Sequence, residues 1–433
     1  MKSQFALLGS RRFCPLFVTQ FLGAFHDNLF KNALAVLLLY GATGFDKKES
    51  ALLVTLAGAL FILPFILFSA AGGVLADKFP KDIVIRWIKL AEILIALCGM
   101  IALLTGSIIL CFTVLFLLGV QSAVFGPSKY AILPDHLGKR DLIGGNALAN
   151  SGTFLAILIG SIAGTVLMGL QHGALVTSFS LLFCALIGYA ASRYIPGAPS
   201  GAPGLLLKQN PFAQISESLQ LGLSQKPRVI SAIVGVAWFY FMGSMFLAQF
   251  ANYTKGTLMG DEQVLSLFLI VFSVGIACGG LLNNRLLKGE IRAFHVPYAV
   301  AGLSLFAADL YFASPLQERT ELLHLSAFLQ QPLHWRIMLD VWMVALCGGL
   351  FVVPLNTIIQ HDTKTGERAR IVAAGAILNA LFMLVSAGLC MILIISGWQI
   401  RHIFLVFSIL NILAALLLVK NLPASAKRSI ERN

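Results

Sequence analysis

The chain has 433 residues, of which 58% are hydrophobic and only 12% are charged, whereas a typical soluble domain carries about 25% charged residues. Its mean hydropathy of +0.86 excludes a soluble enzyme, because a chain of this length could not bury so much apolar surface. The net charge of +12 does not indicate a nucleic-acid-binding protein, because Lys and Arg are scattered in small groups between apolar runs and form no single basic patch.

The apolar runs are long enough to cross a membrane as helices. A hydrocarbon core about 30 Å thick needs roughly 20 apolar residues per helix. The runs that meet this requirement lie at 14–40, 51–76, 83–104, 107–133, 142–170, 173–194, 229–253, 263–287, 294–313, 334–358, 372–397 and 399–421. We therefore predict an all-α integral membrane protein with about twelve transmembrane helices.

A polar stretch at residues 195–228 divides these runs into two groups of six. It is the one sustained polar segment and is rich in Pro, Gly, Ser and Gln. We expect an N-terminal six-helix bundle at 1–194, a cytoplasmic linker at 195–228 and a C-terminal six-helix bundle at 229–433.

The Lys and Arg residues are distributed unequally between the two sides of the predicted membrane. If both termini are cytoplasmic, most of the 31 Lys and Arg residues fall in cytoplasmic loops and tails. Positive charge favours that side, so the bias predicts both ends inside. The first apolar run follows Arg11 and Arg12 without an early small-residue cleavage site, which indicates a retained span and not a signal peptide.

Two classes of chemistry are not indicated by the sequence. The seven cysteines lie in apolar runs without CxxC or Cys/His spacing, so we expect neither a disulfide nor a metal site. No phosphate-binding loop is present, so we expect no ATP-driven transport by this chain and no cofactor.

An unusually polar motif interrupts the first predicted span. Asp27 lies near the middle of that span, where an unpaired charge costs about 2.5–3.5 kcal/mol on insertion scales and must therefore face the protein interior or water. Lys31 follows one turn later on the same helical face, so an ion pair can form. The pair either holds the span in register or, together with His26, Asn28 and Asn32, lines a central cavity that binds a zwitterion or carries a proton.

Ionisable residues in the other spans are fewer. Lys89 and Glu92 are spaced i,i+3 in the third span, and Glu92 is the deeper of the two. A local ion pair and a role in substrate binding are both open for Glu92. Asp340 lies a few residues into the tenth span, four residues after Arg336, and we interpret these two as an interfacial ion pair.

The segment Gly73-Val-Leu-Ala-Asp77-Lys78-Phe-Pro-Lys81 ends the second span and resembles the signature loop of the major facilitator superfamily. The small Gly73 allows close helix approach, and Asp77 can interact with a helix N-terminus or a basic residue and so stabilise one conformation. With Lys78, these residues form a predicted conformational gate. The alternative is a plain positively charged cytoplasmic turn.

Two further spans contain proline. Gly126 and Pro127, followed by Lys129, should kink or unwind the fourth span and expose backbone carbonyls to a cavity or gate. Pro354 and Asn356 are their counterparts in the tenth span, because the two halves align there as in transporters built from repeated bundles. A kink needed only for packing is the alternative.

Three segments carry a more specific resemblance. Thr19-Gln-Phe-Leu-Gly-Ala-Phe-His-Asp-Asn-Leu-Phe-Lys-Asn-Ala33 resembles the bacterial lysophospholipid transporter family, in particular the transporter module that is sometimes fused to acyltransferase domains. Phe125-Gly-Pro-Ser-Lys-Tyr-Ala-Ile-Leu133 and Gly348-Gly-Leu-Phe-Val-Val-Pro-Leu-Asn356 are similar to further motifs of that family.

The resemblance implies a major facilitator fold and movement of lysophospholipid, chiefly lysophosphatidylethanolamine, across the bacterial inner membrane for reacylation inside. Asp27 matches the acidic residue implicated in that family, whereas His26 departs from the family pattern. A second departure is that the chain ends at Asn433 without a fused acyltransferase. The resemblance also makes a separate acyltransferase an expected partner.

We therefore predict a transporter, not an enzyme, that flips lysophospholipid by alternating access around Asp27 and Lys31. Its expected partners are the substrate, membrane lipids and a separate acyltransferase, but no nucleic acid. One alternative is a proton-coupled transporter of a polar metabolite, drug or siderophore, with Asp27 as the protonatable group. Another is a non-transporting membrane scaffold for an acyltransferase. A His-x4-Asp pattern at His136 and Asp141 matches acyltransferases, but it lies in a short loop and we interpret it as accidental.

Overall fold

The structure is a computed structural model that describes residues 4–40, 47–206, 210–315 and 323–418. Most of these residues are helical, because a backbone in lipid must satisfy its own hydrogen bonds. In chain order the α-helices are α1 (Cys14–Tyr40), α2 (Lys47–Lys78), α3 (Lys81–Thr105), α4 (Ile108–Ala131), α5 (Leu133–His136), α6 (Lys139–Met168), α7 (Gly173–Ser192), α8 (Pro211–Leu223), α9 (Pro227–Asn252), α10 (Glu262–Leu287), α11 (Val296–Ala313), α12 (Leu325–Leu329), α13 (Pro332–Asp362), α14 (Arg368–Ile395) and α15 (Ile400–Leu418). A π-helical turn, Tyr253–Thr257, follows α9.

Each predicted span coincides with one long helix whose ends differ from the prediction by a few residues, except that residues 419–421 of the last predicted span lie outside the described residues. Ten of the described helices are long and apolar enough to cross a membrane. The helix α15 is also apolar but shorter, and α1 is less hydropathic because of its polar residues around Asp27. The helix α1 tolerates this polarity because its central polar side chains are buried within the protein and do not face lipid.

The chain forms two compact units. Unit 1 comprises Met1–Gln225 together with Gln360–Ala380, and unit 2 comprises Lys226–Ile359 and Leu381–Asn433. In unit 1, α1 packs against α6 and α7, and α3 packs against α4 and α7; in unit 2, α9 and α11 both pack against α15. The predicted boundaries of the two six-helix bundles and their linker stay a prediction.

Glycine residues bring the helices of unit 1 into backbone contact. A Cβ atom at Gly72 of α2 would lie 2.7 Å from the Cα atom of Val124 on α4. A Cβ atom at Gly160 of α6 would lie 2.5 Å from the carbonyl oxygen of Phe25 on α1. Small residues permit this close packing between membrane helices, so the backbone of α6 sets the position of α1 and of its polar face.

Aromatic packing dominates the interior of unit 2. The ring of Phe246 on α9 stacks on Phe404 of α15, with 5.6 Å between centroids, and lies 6.2 Å from the rings of Phe250 and Phe272. Such pairs contribute about 0.5–1.5 kcal/mol each beyond the burial of their area. The interior of unit 2 is therefore largely apolar around α9, whereas unit 1 buries charged groups.

Candidate functional site

The central polar residues of α1 are buried in unit 1. His26 is 1% exposed and Asp27 is 5% exposed. The Oδ2 atom of Asp27 accepts a hydrogen bond from the hydroxyl of Ser122 on α4. Its Oδ1 atom lies 3.9 Å from Nδ1 of His26, and among the described residues neither this oxygen nor either ring nitrogen of His26 has a hydrogen-bond partner. The site therefore contains a buried carboxylate oxygen and an imidazole whose hydrogen-bonding capacity is unused.

The other polar residues of α1 do not bind Asp27. The ion pair predicted between Asp27 and Lys31 is not formed, because Asp27 turns to Ser122 while the Lys31 ammonium lies 5.9 Å from the ring centroid of Phe61. Asn28 and Asn32 donate hydrogen bonds to carbonyl oxygens one turn back on α1, at 2.8 and 2.9 Å. Lys31 still interacts electrostatically with Asp27.

A second buried pair lies on α3. The Lys89 ammonium is 2.5 Å from Oε2 of Glu92, and both side chains are 0% exposed. The same Glu92 oxygen accepts a hydrogen bond of 2.7 Å from the amide of Gln121 on α4. The positive charge of Lys89 and the hydrogen bond from this amide allow Glu92 to remain buried at membrane depth.

The two buried sites are joined through α4. The hydroxyl of Ser122 is 3.3 Å from Oε1 of Gln121 and also donates to Asp27, so its single proton can go to either acceptor. The polar chain therefore runs from Lys89 through Glu92, Gln121 and Ser122 to Asp27, across α3, α4 and α1. Sequence reasoning missed Gln121 and Ser122, whose signal is two adjacent polar residues inside an otherwise apolar run.

Gly23 makes room for the Lys89 ammonium. A Cβ atom at Gly23 would lie 2.7 Å from Nζ of Lys89. Replacement of Gly23 by alanine is expected to displace this ammonium from Glu92 and to destabilise the protein by about 1–3 kcal/mol, as overpacking and disturbed buried pairs do. Thermal denaturation in detergent measures the change. Gly58→Ala on α2, where a Cβ atom would meet nothing within 4 Å, is the matched control and should be neutral or slightly stabilising. Equal melting temperatures for the two variants would contradict the prediction.

The end of α4 adds a further cation. The Lys129 ammonium lies 5.7 Å from the ring centroid of Phe125 and 5.0 Å from that of Tyr130, while Lys89 lies 5.2 Å from Phe125. Lys129 interacts electrostatically with both Asp27 and Lys89. Helix α4 continues through Gly126 and Pro127 to Ala131, so these predicted gate residues lie within a helix.

Positive groups outnumber negative groups in this interior. The ammonium groups of Lys31, Lys89 and Lys129 accompany the carboxylates of Asp27 and Glu92. Only Lys89 has a carboxylate within ion-pair distance among the described residues; Lys31 and Lys129 contact aromatic rings. The arrangement can therefore attract an anionic group while Asp27 offers an acceptor to a cation.

The predicted gate residue Asp77 lies at the N-terminus of α14. Its carboxylate is fully buried and accepts hydrogen bonds from the backbone N–H groups of Ala369 and Arg370, at 3.0 and 3.2 Å, and from the Arg370 guanidinium at 3.3 Å. A Cβ atom at Gly73 would lie 2.8 Å from that of Ala373, so Gly73 lets α14 rest on α2. A carboxylate at a helix N-terminus is stabilised by the helix dipole.

Other polar contacts hold Gln360–Ala380 within unit 1. Asp135 forms ion pairs of 3.0 Å with both Lys81 and Arg368. The amides of Asn146 and Gln360 exchange two hydrogen bonds, at 2.7 and 2.9 Å. Sequence reasoning missed the pairs Asp135–Arg368 and Asn146–Gln360, because their members are more than 200 residues apart in the sequence. It also missed the pair of Asp135 with Lys81.

The other residues predicted to form gates or ion pairs lie on or next to α2 and α13. The Lys78 ammonium lies 5.6 Å from the ring centroid of Phe79. Pro354 is buried inside α13, and Asn356 is half-buried on the same helix. In unit 2, Arg336 pairs with Asp309 of α11 and not with Asp340, the partner expected from spacing along its own helix.

The sequence matches the family profile of the Major Facilitator Superfamily over residues 16–387. It is similar to the lysophospholipid transporter LplT of Cronobacter sakazakii, with 27% identity over 358 residues that cover 82% of each chain. The LplT protein of Klebsiella pneumoniae is 26% identical over 390 residues, which cover 87% of this chain and 88% of that relative.

Solved structures share the fold at low sequence identity. The human organic anion transporter MFSD10 has a TM-score of 0.73 at 14% identity, covering 94% of this chain and 99% of its own. The Escherichia coli fucose:proton symporter FucP has a TM-score of 0.68 at 12% identity. The match covers 94% of this chain and 98% of FucP. At such identities the likeness establishes the fold alone.

Proposed function

The chain belongs to the major facilitator superfamily, and from that membership we propose that it moves lysophospholipids across a bacterial inner membrane. The all-α multi-pass fold and the resemblance to lysophospholipid transporters, both predicted from the sequence, are confirmed. The similar relatives from Cronobacter sakazakii and Klebsiella pneumoniae are named lysophospholipid transporters.

The observation that carries the proposal is the polar interior of unit 1. It is built on the α1 motif that resembles the lysophospholipid transporters, and it buries Asp27 with one carboxylate oxygen unpartnered among the described residues. Burial of a polar atom without a hydrogen bond is unfavourable, so a ligand that supplies a donor gains that interaction. A site with unused hydrogen-bonding capacity at membrane depth suits a bound substrate.

The charges of this interior suit a phosphoethanolamine headgroup. The phosphodiester is attracted to Lys31 and Lys129, which have no carboxylate within ion-pair distance in the described part of the chain. The ethanolamine ammonium can donate to Oδ1 of Asp27. Glu92 binds Lys89 and Gln121 through Oε2, whereas its Oε1 has no hydrogen-bond partner among the described residues. Because Lys89 neutralises its charge, in this proposal Glu92 positions the network and does not bind the headgroup. The acyl chain remains in apolar surroundings.

Alternating access requires the cytoplasmic end of the protein to change conformation, and we assign the contacts of Asp77 to this step. They join α14 to α2 through hydrogen bonds, beside the apolar contact of Ala76 with Ala369. Release of these bonds would free the N-terminus of α14. Roles for Gly126, Pro127, Pro354 and Asn356 in gating stay predictions, as do cytoplasmic termini and a separate acyltransferase that consumes the imported lysophospholipid.

Replacement of Asp77 by asparagine is expected to release α14, because the amide loses the charge that pairs with Arg370 and with the helix N-terminus. Ala131, which is buried with Ala76 and Ala369, provides a reporter position. An Ala131→Cys protein should react with a maleimide several-fold faster when Asp77→Asn is also present. Asp141→Asn, at an exposed position at the start of α6, is the control and should not change the rate. An unchanged rate with Asp77→Asn would show that the contacts of Asp77 do not hold the N-terminus of α14 in place.

Reconstituted vesicles test the proposed function directly. Wild-type protein should move labelled lysophosphatidylethanolamine between leaflets faster than protein-free vesicles do. It should not move glycerophosphoethanolamine, which has the same headgroup without an acyl chain. A folded protein that moves only the soluble headgroup would overturn the proposal and favour a transporter of polar metabolites.

A further inference from the structure

The first part of the predicted linker, residues 195–202, is bonded to the end of unit 1 that contains Asp77, and we call it the strap. It lies between α7 and α8 and is not helical. It contacts two structures that are far apart in the sequence, the turn between α2 and α3 and the loop between α13 and α14. A segment that served only to connect two bundles would not need these contacts.

Two donors of the strap satisfy the end of α2. The backbone N–H of Ala202 donates to the carbonyl oxygen of Asp77 at 2.8 Å. The hydroxyl of Ser200 lies 3.1 Å from the same carbonyl oxygen and 2.8 Å from that of Lys78. These carbonyls belong to the last turn of α2, where the helix itself supplies no further donor. The strap therefore caps α2.

The strap is also bonded to the first turns of α3. The backbone N–H of Ala198 donates to Oδ1 of Asp82 at 3.1 Å, and the other oxygen of Asp82 pairs with Arg86 at 3.0 Å. Arg86 in turn donates to the carbonyl oxygen of Ile195 at 3.3 Å. The backbone N–H of Lys81 donates to the carbonyl oxygen of Ala198 at 3.2 Å. Bonds donated in both directions fix the position of the strap on α3.

On its other side the strap packs against the loop between α13 and α14. A Cβ atom at Gly201 would lie 2.5 Å from the carbonyl oxygen of Thr365. A Cβ atom at Gly366 would lie 2.7 Å from the carbonyl oxygen of Gly201 and 3.6 Å from the Cβ atom of Ala202. Glycine permits this close approach of two backbones because it has no Cβ atom. The loop leads directly into α14, whose N-terminus binds Asp77.

We propose that the strap holds the loop before α14 against the end of α2, and that it must separate from this loop when α14 moves during transport. The strap is joined to α2 and α3 by hydrogen bonds, whereas its contact with Thr365 and Gly366 includes no hydrogen bond in the described part of the chain. The contact with the loop is therefore the one that breaks. The inference rests on the proposed transport function and adds to Asp77 a second attachment, made by a separate segment.

A disulfide between the strap and the loop tests the proposal in the full-length protein. The 3.6 Å between the Cβ positions of Ala202 and Gly366 suits a disulfide. Ala202→Cys/Gly366→Cys should cross-link with a mild oxidant, should then lose transport of labelled lysophosphatidylethanolamine in vesicles, and should regain it on reduction. Each single cysteine variant is a control whose rate should not change with the oxidant. A disulfide that fails to form, or a cross-linked protein as fast as the reduced one, would overturn the proposal.

Amide hydrogen exchange provides a second arm that needs no substrate. Gly201→Val should speed exchange in the first turn of α14, because its side chain would collide with the carbonyl oxygen of Thr365 and push the loop away. Gly197→Val is the control within the strap, since a Cβ atom at Gly197 would meet nothing within 4 Å. Equal exchange in the two variants would overturn the proposal. If wild type moves no lysophospholipid, the proposed function fails, whereas hydrogen exchange still decides whether the strap holds α14.

Discussion

Replacement of Asp27 by asparagine is expected to reduce lysophosphatidylethanolamine transport roughly 10- to 100-fold, because a hydrogen bond to a charged group contributes about 1.5–3 kcal/mol and each 1.4 kcal/mol is a factor of ten. Asparagine keeps the shape of Asp27 and an acceptor for Ser122 but removes the charge that would bind the ethanolamine ammonium. Initial rates in vesicles, corrected for the amount of folded protein, measure the effect.

Two control variants separate the charge of Asp27 from its packing. Ser122→Ala removes the hydrogen bond to Asp27 but leaves the carboxylate, and it should reduce transport by less than Asp27→Asn. Asp141→Asn removes a carboxylate at an exposed position and should leave the rate unchanged. If Asp27→Asn transports at the wild-type rate, this carboxylate does not bind substrate and the proposed headgroup site is wrong.

The second large effect concerns stability. Lys89→Met should destabilise unit 1 by about 3–5 kcal/mol, since it leaves the fully buried Glu92 without its counter-ion. The double variant Lys89→Met/Glu92→Met should recover most of the loss, because apolar side chains of similar size often replace a buried ion pair at little net cost. Reversible denaturation in detergent measures the free energy of unfolding of each variant. A double-mutant cycle then gives the coupling energy between Lys89 and Glu92.

The control for this cycle is Lys139→Met, which removes an ammonium group from an exposed position at the start of α6. Surface substitutions of this kind usually change stability by no more than about 0.5 kcal/mol. A Lys89→Met protein as stable as the control would contradict the buried pair. A double variant as unstable as Lys89→Met would instead assign the loss to packing or to the hydrogen bond between Glu92 and Gln121.

The two units differ in what they bury, and the difference fits an amphipathic substrate. Unit 1 buries Asp27, Lys89 and Glu92, whereas the interior of unit 2 around α9 is lined by phenylalanine. Among the described residues of unit 2, Asp340 is a buried carboxyl group near the Arg336–Asp309 pair. In the proposed function the headgroup therefore binds to unit 1.

The positions of the membrane helices were predictable from the sequence alone. Lipid requires about 20 apolar residues per crossing and internally satisfied backbone hydrogen bonds, so composition along the chain is sufficient to find them. The same physics identified Asp27 as an interior residue, because a charge near the midplane cannot face lipid. Composition and motif similarity together also identified the superfamily.

The partners of the buried charges were decided only by tertiary structure. Spacing along one helix suggested Lys31 for Asp27 and Arg336 for Asp340, yet Asp27 binds Ser122 of α4 and Arg336 binds Asp309 of α11. A hydrogen bond acts over about 3 Å and depends on the rotation of both helices about their axes. That rotation is set by packing between helices, such as the contact of Gly160 with the backbone of Phe25, and a pattern along a single helix does not contain it.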